Sequence, residues 1–181
     1  MKKLLFILSI CIFCGSVSAQ RWSFSTVEQV TGDGITYELE KTPMTYFYHN
    51  IENYRGNGPY VNLDGTPAAG TWEDYDAGKL DVAALRRVIQ EVFTPQELAD
   101  FKATDTSMRL SLVFDNQGAV IEVYFNFNAT TPVKSLSVER IAQLEKRLKA
   151  EVTTHITDPA TKKIRFVVAG FGYNFKYMDE K

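Results

Sequence analysis

Hydrophobic residues recur along this chain at two periods, and the change from one to the other divides it. Trp22, Phe24 and Thr26 alternate with smaller or polar neighbours, Thr31-Gly32-Asp33-Gly34 interrupts them, and Ile35, Tyr37 and Leu39 resume a period of two. Strict alternation marks a half-buried strand, and the glycines permit the positive φ of a tight hairpin. A third strand is predicted through Met44-Thr45-Tyr46-Phe47-Tyr48, after Pro43.

Beyond residue 80 the period lengthens. Asp81 is placed to cap a helix with Val82, Leu85, Ile89 and Val92 as its apolar stripe. Thr94-Pro95-Gln96-Glu97 opens a second, shorter helix with a cap, a proline at the first helical position and a capping-box glutamate, which aims Leu98 and Phe101 at the core. Period two returns in Met108, Leu110, Leu112 and Phe114, turns at Asp115-Asn116-Gln117-Gly118, and runs back from Val120 to Phe127 as a hairpin with Gly118 left-handed. Ser137 stands as the cap of a last helix, with Val138, Ile141, Leu144 and Leu148 buried. Its final turn holds Lys146, Arg147 and Lys149, where the helix dipole favours positive charge. After a break at Asp158-Pro159, a strand from Ile164 to Tyr177 closes the chain, with Gly170 and Gly172 predicting a bulge or bend. The sum is one α+β domain over 20–181, an antiparallel sheet with helices packed on one face. Its β-rich part is 20–79, and a helix–strand–strand–helix–strand unit fills 80–181.

Residues 52–79 fit neither period. Gly56, Gly58, Pro59, Gly65, Pro67, Gly70 and Gly78 make this a long loop, and loops of this length inside a domain tend to be functional or mobile. Tyr54, Tyr60, Trp72 and Tyr75 lie within it. Aromatic residues are scarce in disordered linkers, so the loop is expected to lie packed on the domain.

The first 19 residues alter what kind of protein this is. Lys2 and Lys3 precede an apolar run from Leu4 to Phe13, and Val17-Ser18-Ala19 supplies a small-residue cleavage site, the order of a secretory signal peptide. The run is shorter than the roughly 20 residues a membrane helix needs. Cys11 follows Ile10 and Cys14 follows Phe13, whereas a lipidated cysteine follows a small residue, so cleavage after Ala19 is expected. Both cysteines leave with the signal, and the product, destined for the periplasm or the cell exterior, relies on burial rather than disulfides. Lys2 and Lys3 leave too, widening the excess of 22 acidic over 20 basic residues. A mildly acidic domain with no basic block is a poor nucleic-acid binder, and no second apolar run of membrane length is present.

The order of elements after residue 80, the turn Asp115-Asn116-Gln117-Gly118 and the terminal Tyr173-Asn174-Phe175-Lys176 resemble the C-terminal domain of TonB, the periplasmic energy transducer. That resemblance implies a fold and no more. This chain lacks the uncleaved anchor and proline-rich spacer of such transducers and carries Asp158-Pro159-Ala160-Thr161 where their Pro/Trp stretch stands. Taken whole, with its Ser18-Ala19-Gln20 signal end and its Leu80–Phe127 texture, the chain is similar to exported Bacteroidetes families of about 180 residues whose domains have no known function. That likeness brings no catalytic residue with it.

Candidate chemistry is sparse. The product has no cysteine and two histidines, His49 and His155, neither in a hydrolase motif; no Gly-x-Ser-x-Gly elbow, clustered zinc ligands or phosphate loop is present. No cofactor or metal is therefore expected. Glu73, Asp74 and Asp76 form the best acidic group. If extended, Asp74 and Asp76 point the same way and could hold calcium or act on a glycosidic bond, but the EF-hand glutamate is missing, and a solvated acidic turn is the plainer reading. The ligand-binding candidates are Tyr54, Tyr60, Trp72 and Tyr75, whose rings suit a sugar or peptide if they are not consumed in tying the loop down. The expected function is a non-catalytic binding or interaction module of the cell envelope, its partner an envelope protein or a glycan. The alternatives are a glycan-active hydrolase using the loop carboxylates, and an assembly protein pairing through an edge strand.

Overall fold

The computed structural model describes residues 25–56, 58–71, 74–129 and 136–178. The expected signal peptide, Trp22, Phe24, Trp72 and Glu73 lie outside them.

Alternation builds the sheet as expected. Strands β1 (Thr26–Gly32), β2 (Ile35–Lys41) and β3 (Thr45–Asn50) form an antiparallel meander. The β1–β2 hairpin closes through Asp33 and Gly34, both at positive φ (48° and 79°), a two-residue turn whose twist matches its strands. Helices α1 (Val82–Val92) and α2 (Pro95–Ala103) follow a two-residue strand β4 (Lys79–Leu80). Next come β5 (Ser107–Asp115), β6 (Val120–Asn128) and helix α3 (Val138–Glu151). Strand β7 (Thr154–His155) pairs with β4, and β8 (Phe166–Asn174) ends the sheet. The six long strands run in the order β1-β2-β3-β6-β5-β8, all antiparallel, so both halves of the sequence share one sheet, joined at β3–β6.

One face of that sheet is the core. Leu39, Tyr48, Phe125, Leu110 and Phe171 form a cross-strand row beneath the helices, the first four buried and Phe171 half-buried. Helix α3 seals this face with Ile141, Leu144 and Leu148, and α1 packs beside it. Asp81 caps α1 by accepting from the Ala84 amide, and the capping box at Thr94 and Glu97 is formed.

Four local expectations are corrected. Val82 faces outward, because the buried stripe of α1 is Ala84, Leu85, Val88, Ile89 and Val92. Ser137 holds the cap position of α3 but donates its hydroxyl to Glu139 Oε2 instead of accepting from the helix. Gly170 and Gly172 make no bulge: β8 stays in register with β5 from Phe166 to Asn174, and the irregularity falls between Val113 and Phe114 against β6. The closing strand stops at Asn174, whose side chain accepts from the Lys176 amide and starts a 3-10 turn over Phe175–Tyr177.

Candidate functional site

On the outer face of the sheet, the alternation of β6 places Glu122, Tyr124, Asn126 and Asn128 opposite the core. A glutamate there belongs in water, yet Glu122 is only 2% exposed, because the start of the long loop folds over it. Its two oxygens accept from the backbone amides of Tyr54 (3.2 Å), Arg55 (2.9 Å) and Gly56 (3.2 Å), from Arg55 Nη1 at 3.0 Å and from the Tyr124 hydroxyl at 3.0 Å. Successive N–H groups converging on one anion form a backbone nest. Burial would raise the Glu122 pKa, but these donors outweigh it and hold the carboxyl below its ordinary value. Burial first, and the carboxylate beside it, push the Tyr124 hydroxyl up to about 12 against the Gly56 amide, so at neutral pH it remains a donor to Glu122. Gly56 is required at this point: a Cβ there would sit 2.4 Å from the Tyr124 ring.

A second tie follows at Val61 and Leu63. The amides of Arg165 and Leu63 donate to the carbonyls of Val61 and Lys163, so the loop pairs briefly with the chain entering β8. Between these ties Tyr60 lays its ring against Phe166 (5.4 Å between centroids) and Tyr75 (5.1 Å), and the Tyr75 hydroxyl donates to the Ala69 carbonyl. The loop therefore stands over the sheet edge without collapsing onto it. A cleft of about 480 Å³ remains, walled by Gly56, Gly58 and Pro59 on one side and Ala68, Gly70 and Thr71 on the other. Tyr60, Phe166, Val168 and Gly170 line the rest of it.

The structure brings together only part of the predicted aromatic group. Tyr60 and Tyr75 meet in the loop's own packing, with Tyr60 on the cleft wall. Tyr54 is 68% exposed on the far side of the first tie, with the Arg55 guanidinium 4.2 Å from its ring. Trp72 is not among the described residues.

Of the acidic group, Asp74 and Asp76 line a neighbouring hollow together with Tyr75 and Asp158, apart from the lining of the cleft itself, and Glu73 lies outside the described residues. Asp74 accepts from the Thr71 amide and hydroxyl, and Asp76 from the Gly78 amide; each closes its own turn, in keeping with the plainer reading of this segment as an acidic turn. No carboxylate or histidine is among the described residues lining the cleft, and no metal-binding cluster occurs among the described residues. His49 is half-buried, its Nε2 3.3 Å from the Asn53 carbonyl and its ring 5.1 Å from Tyr124, while His155 lies exposed in β7. No helix among the described residues is long and apolar enough to cross a membrane.

The chain is similar to a DUF5043 family protein from Bacteroides uniformis, with 17% identity, a TM-score of 0.63, and coverage of 83% of this chain and 86% of that one. The likeness is one of fold. It agrees with the similarity to Bacteroidetes proteins of unknown function read from the sequence, whereas the TonB resemblance stays one of element order. No protein-family model and no curated protein matches the chain.

Glu122 and Gly56 were the site residues missed from sequence. Glu122 is legible as an outward position in an alternating strand, but nothing local announces that a loop some 70 residues earlier in the chain buries it.

Proposed function

We propose that this protein is an exported, non-catalytic binding module of the cell envelope, and that the cleft beneath its loop docks a glycan chain. One observation carries the reading: a buried carboxylate fixes the loop so that an open cleft exists before any ligand arrives. Preformed clefts with apolar walls and a few polar groups are the usual form of ligand sites. Tyr60 supplies an aromatic wall and Tyr75 props it. The binding reading is preferred to a hydrolase because no carboxylate is among the described residues lining the cleft.

The test is to fill the cleft without disturbing the fold. A Cβ at Gly170 meets nothing within 4 Å, so Gly170→Leu projects into open space. Glycan-array binding should disappear in this variant with its Tm preserved. Equal binding by the folded variant and the wild type would remove the cleft as the site. Concentration-dependent pairing through the free edge of β8, with no glycan bound, would favour the assembly reading.

A further inference from the structure

Beyond the loop, no described helix or strand covers the outer face of the sheet. Cross-strand register lines up Phe47 of β3, Asn126 of β6, Arg109 of β5 and Gly172 of β8 in one row, about 14 Å long at the usual strand spacing. Phe47 is 39% exposed, Arg109 lies open, and a Cβ at Gly172 would meet nothing within 4 Å. Gly170, one row along, is shared with the cleft, so the two surfaces are continuous.

The polar groups of this row are preset as donors. The Thr45 hydroxyl donates to Asn128 Oδ1, and Asn128 Nδ2 donates to Asn126 Oδ1, each at 3.1 Å. This relay occupies the Asn126 oxygen and leaves its NH2 without an acceptor among the described residues. Next to it, Arg109 has no hydrogen bond or ion pair with any described residue, whereas Arg55, Arg87, Arg140 and Arg147 each hold a carboxylate. The outer-face positions around Arg109 are Ser107, Ser111, Tyr124, Asn128, Gly170 and Asn174, none of them acidic. Glu122, two rows along, is saturated by the loop; Glu40 on β2 continues the row directly beside Phe47 and Glu38 stands one row along, so these carboxylates lie at the Phe47 end, three strands from Arg109.

A guanidinium beside a donor amide is complementary to a carboxylate, and an open aromatic face one strand further suits the C–H face of a sugar ring. An acidic peptide would instead be expected along the part of the β8 edge beyond the loop, where backbone pairing gives affinity; Phe47 and Asn126 lie inside the sheet, away from that edge. We propose that Phe47, Asn126 and Arg109 form a subsite for a sugar bearing a carboxylate, so that the glycan is acidic. This proposal rests on the glycan reading of the cleft.

Calorimetric titration of the purified protein with fragments of polygalacturonate, alginate and hyaluronan, each beside its carboxyl-reduced counterpart, separates the two. At least one acidic fragment should bind, and both carboxyl reduction and Arg109→Gln should weaken it about tenfold or more. Arg109 is exposed and unpartnered among the described residues, so Tm should hold; Asn126→Ala should weaken the same fragment by a smaller factor. Equal binding of acidic and reduced chains, unmoved by Arg109→Gln but lost in Gly170→Leu, would overturn the acidic subsite and keep the cleft. Binding of none of these chains would overturn both readings. Tighter binding of polyglutamate than of any sugar chain would overturn the proposal in favour of an acidic peptide.

Discussion

Two buried glutamates sit on opposite faces of one sheet, and each has a tyrosine and a basic residue for company. Glu145, on α3, is 0% exposed and accepts from the Tyr37 hydroxyl (2.7 Å), Asn50 Nδ2 (2.8 Å) and Lys149 Nζ (2.7 Å). Burial and that carboxylate push the Tyr37 hydroxyl far up, so it stays a donor. Glu122, on β6, takes Tyr124 and Arg55 but gives most of its capacity to three backbone amides. The partners of Glu145 belong to a helix and two strands that cannot leave the core. Those of Glu122, apart from its β6 neighbour Tyr124, belong to a loop on the outer face. The first carboxylate fastens the fold and the second fastens the site.

Removing Glu145 tests that contrast most severely. Glu145→Ala leaves Tyr37, Asn50 and Lys149 without their acceptor, and should cost about 3–5 kcal/mol, read as a large fall in the urea midpoint. Glu122→Ala should cost less, about 1–2 kcal/mol, because the freed amides can turn to solvent as the loop rises, while glycan binding is lost. Equal losses of stability would mean that both faces are simply structural. Acid should loosen the Glu122 tie. The folded pKa of Glu122 is depressed, so its contribution is complete above the ordinary value of 4.5 and is lost as pH falls through the lower folded value. The amide chemical shifts of Tyr54, Arg55 and Gly56 should therefore titrate below pH 4.5; a midpoint at or above it would contradict the nest. The smallest effect is a gain. Gly172→Ala, in open strand and without positive φ, should stabilise by about 0.4–1 kcal/mol, a rise in Tm that a hidden close contact would reverse.

The same contrast explains what the sequence discloses. Leu39, Tyr48, Phe125 and Leu110 reveal the core because burial on one face imposes period two along each strand, and Thr94-Pro95-Gln96-Glu97 reveals a helix start because its hydrogen bonds are local. The loop's position depends on Glu122 meeting Tyr54–Gly56 and on Asn62 meeting Ile164, pairings remote in the chain that no local pattern encodes. Asp74 and Asp76 are legible for the same local reason as the helix start: a shared direction needs an extended segment, and each instead closes a turn with a nearby amide. The Gly170 and Gly172 positions are visible in the sequence, but whether a strand glycine marks a bulge or an open surface depends on what neighbouring strands place beside it.

Amide hydrogen exchange of the wild type and Glu122→Gln tests most directly whether Glu122 holds the loop in place before a ligand arrives. The amides of Tyr54, Arg55 and Gly56 should be protected in the wild type. In the variant they should lose that protection, with the sheet amides of β5 and β6 unchanged. Fast exchange of those three amides in the wild type, or a loss in the variant that spreads through the whole sheet, would contradict a site held open by one carboxylate.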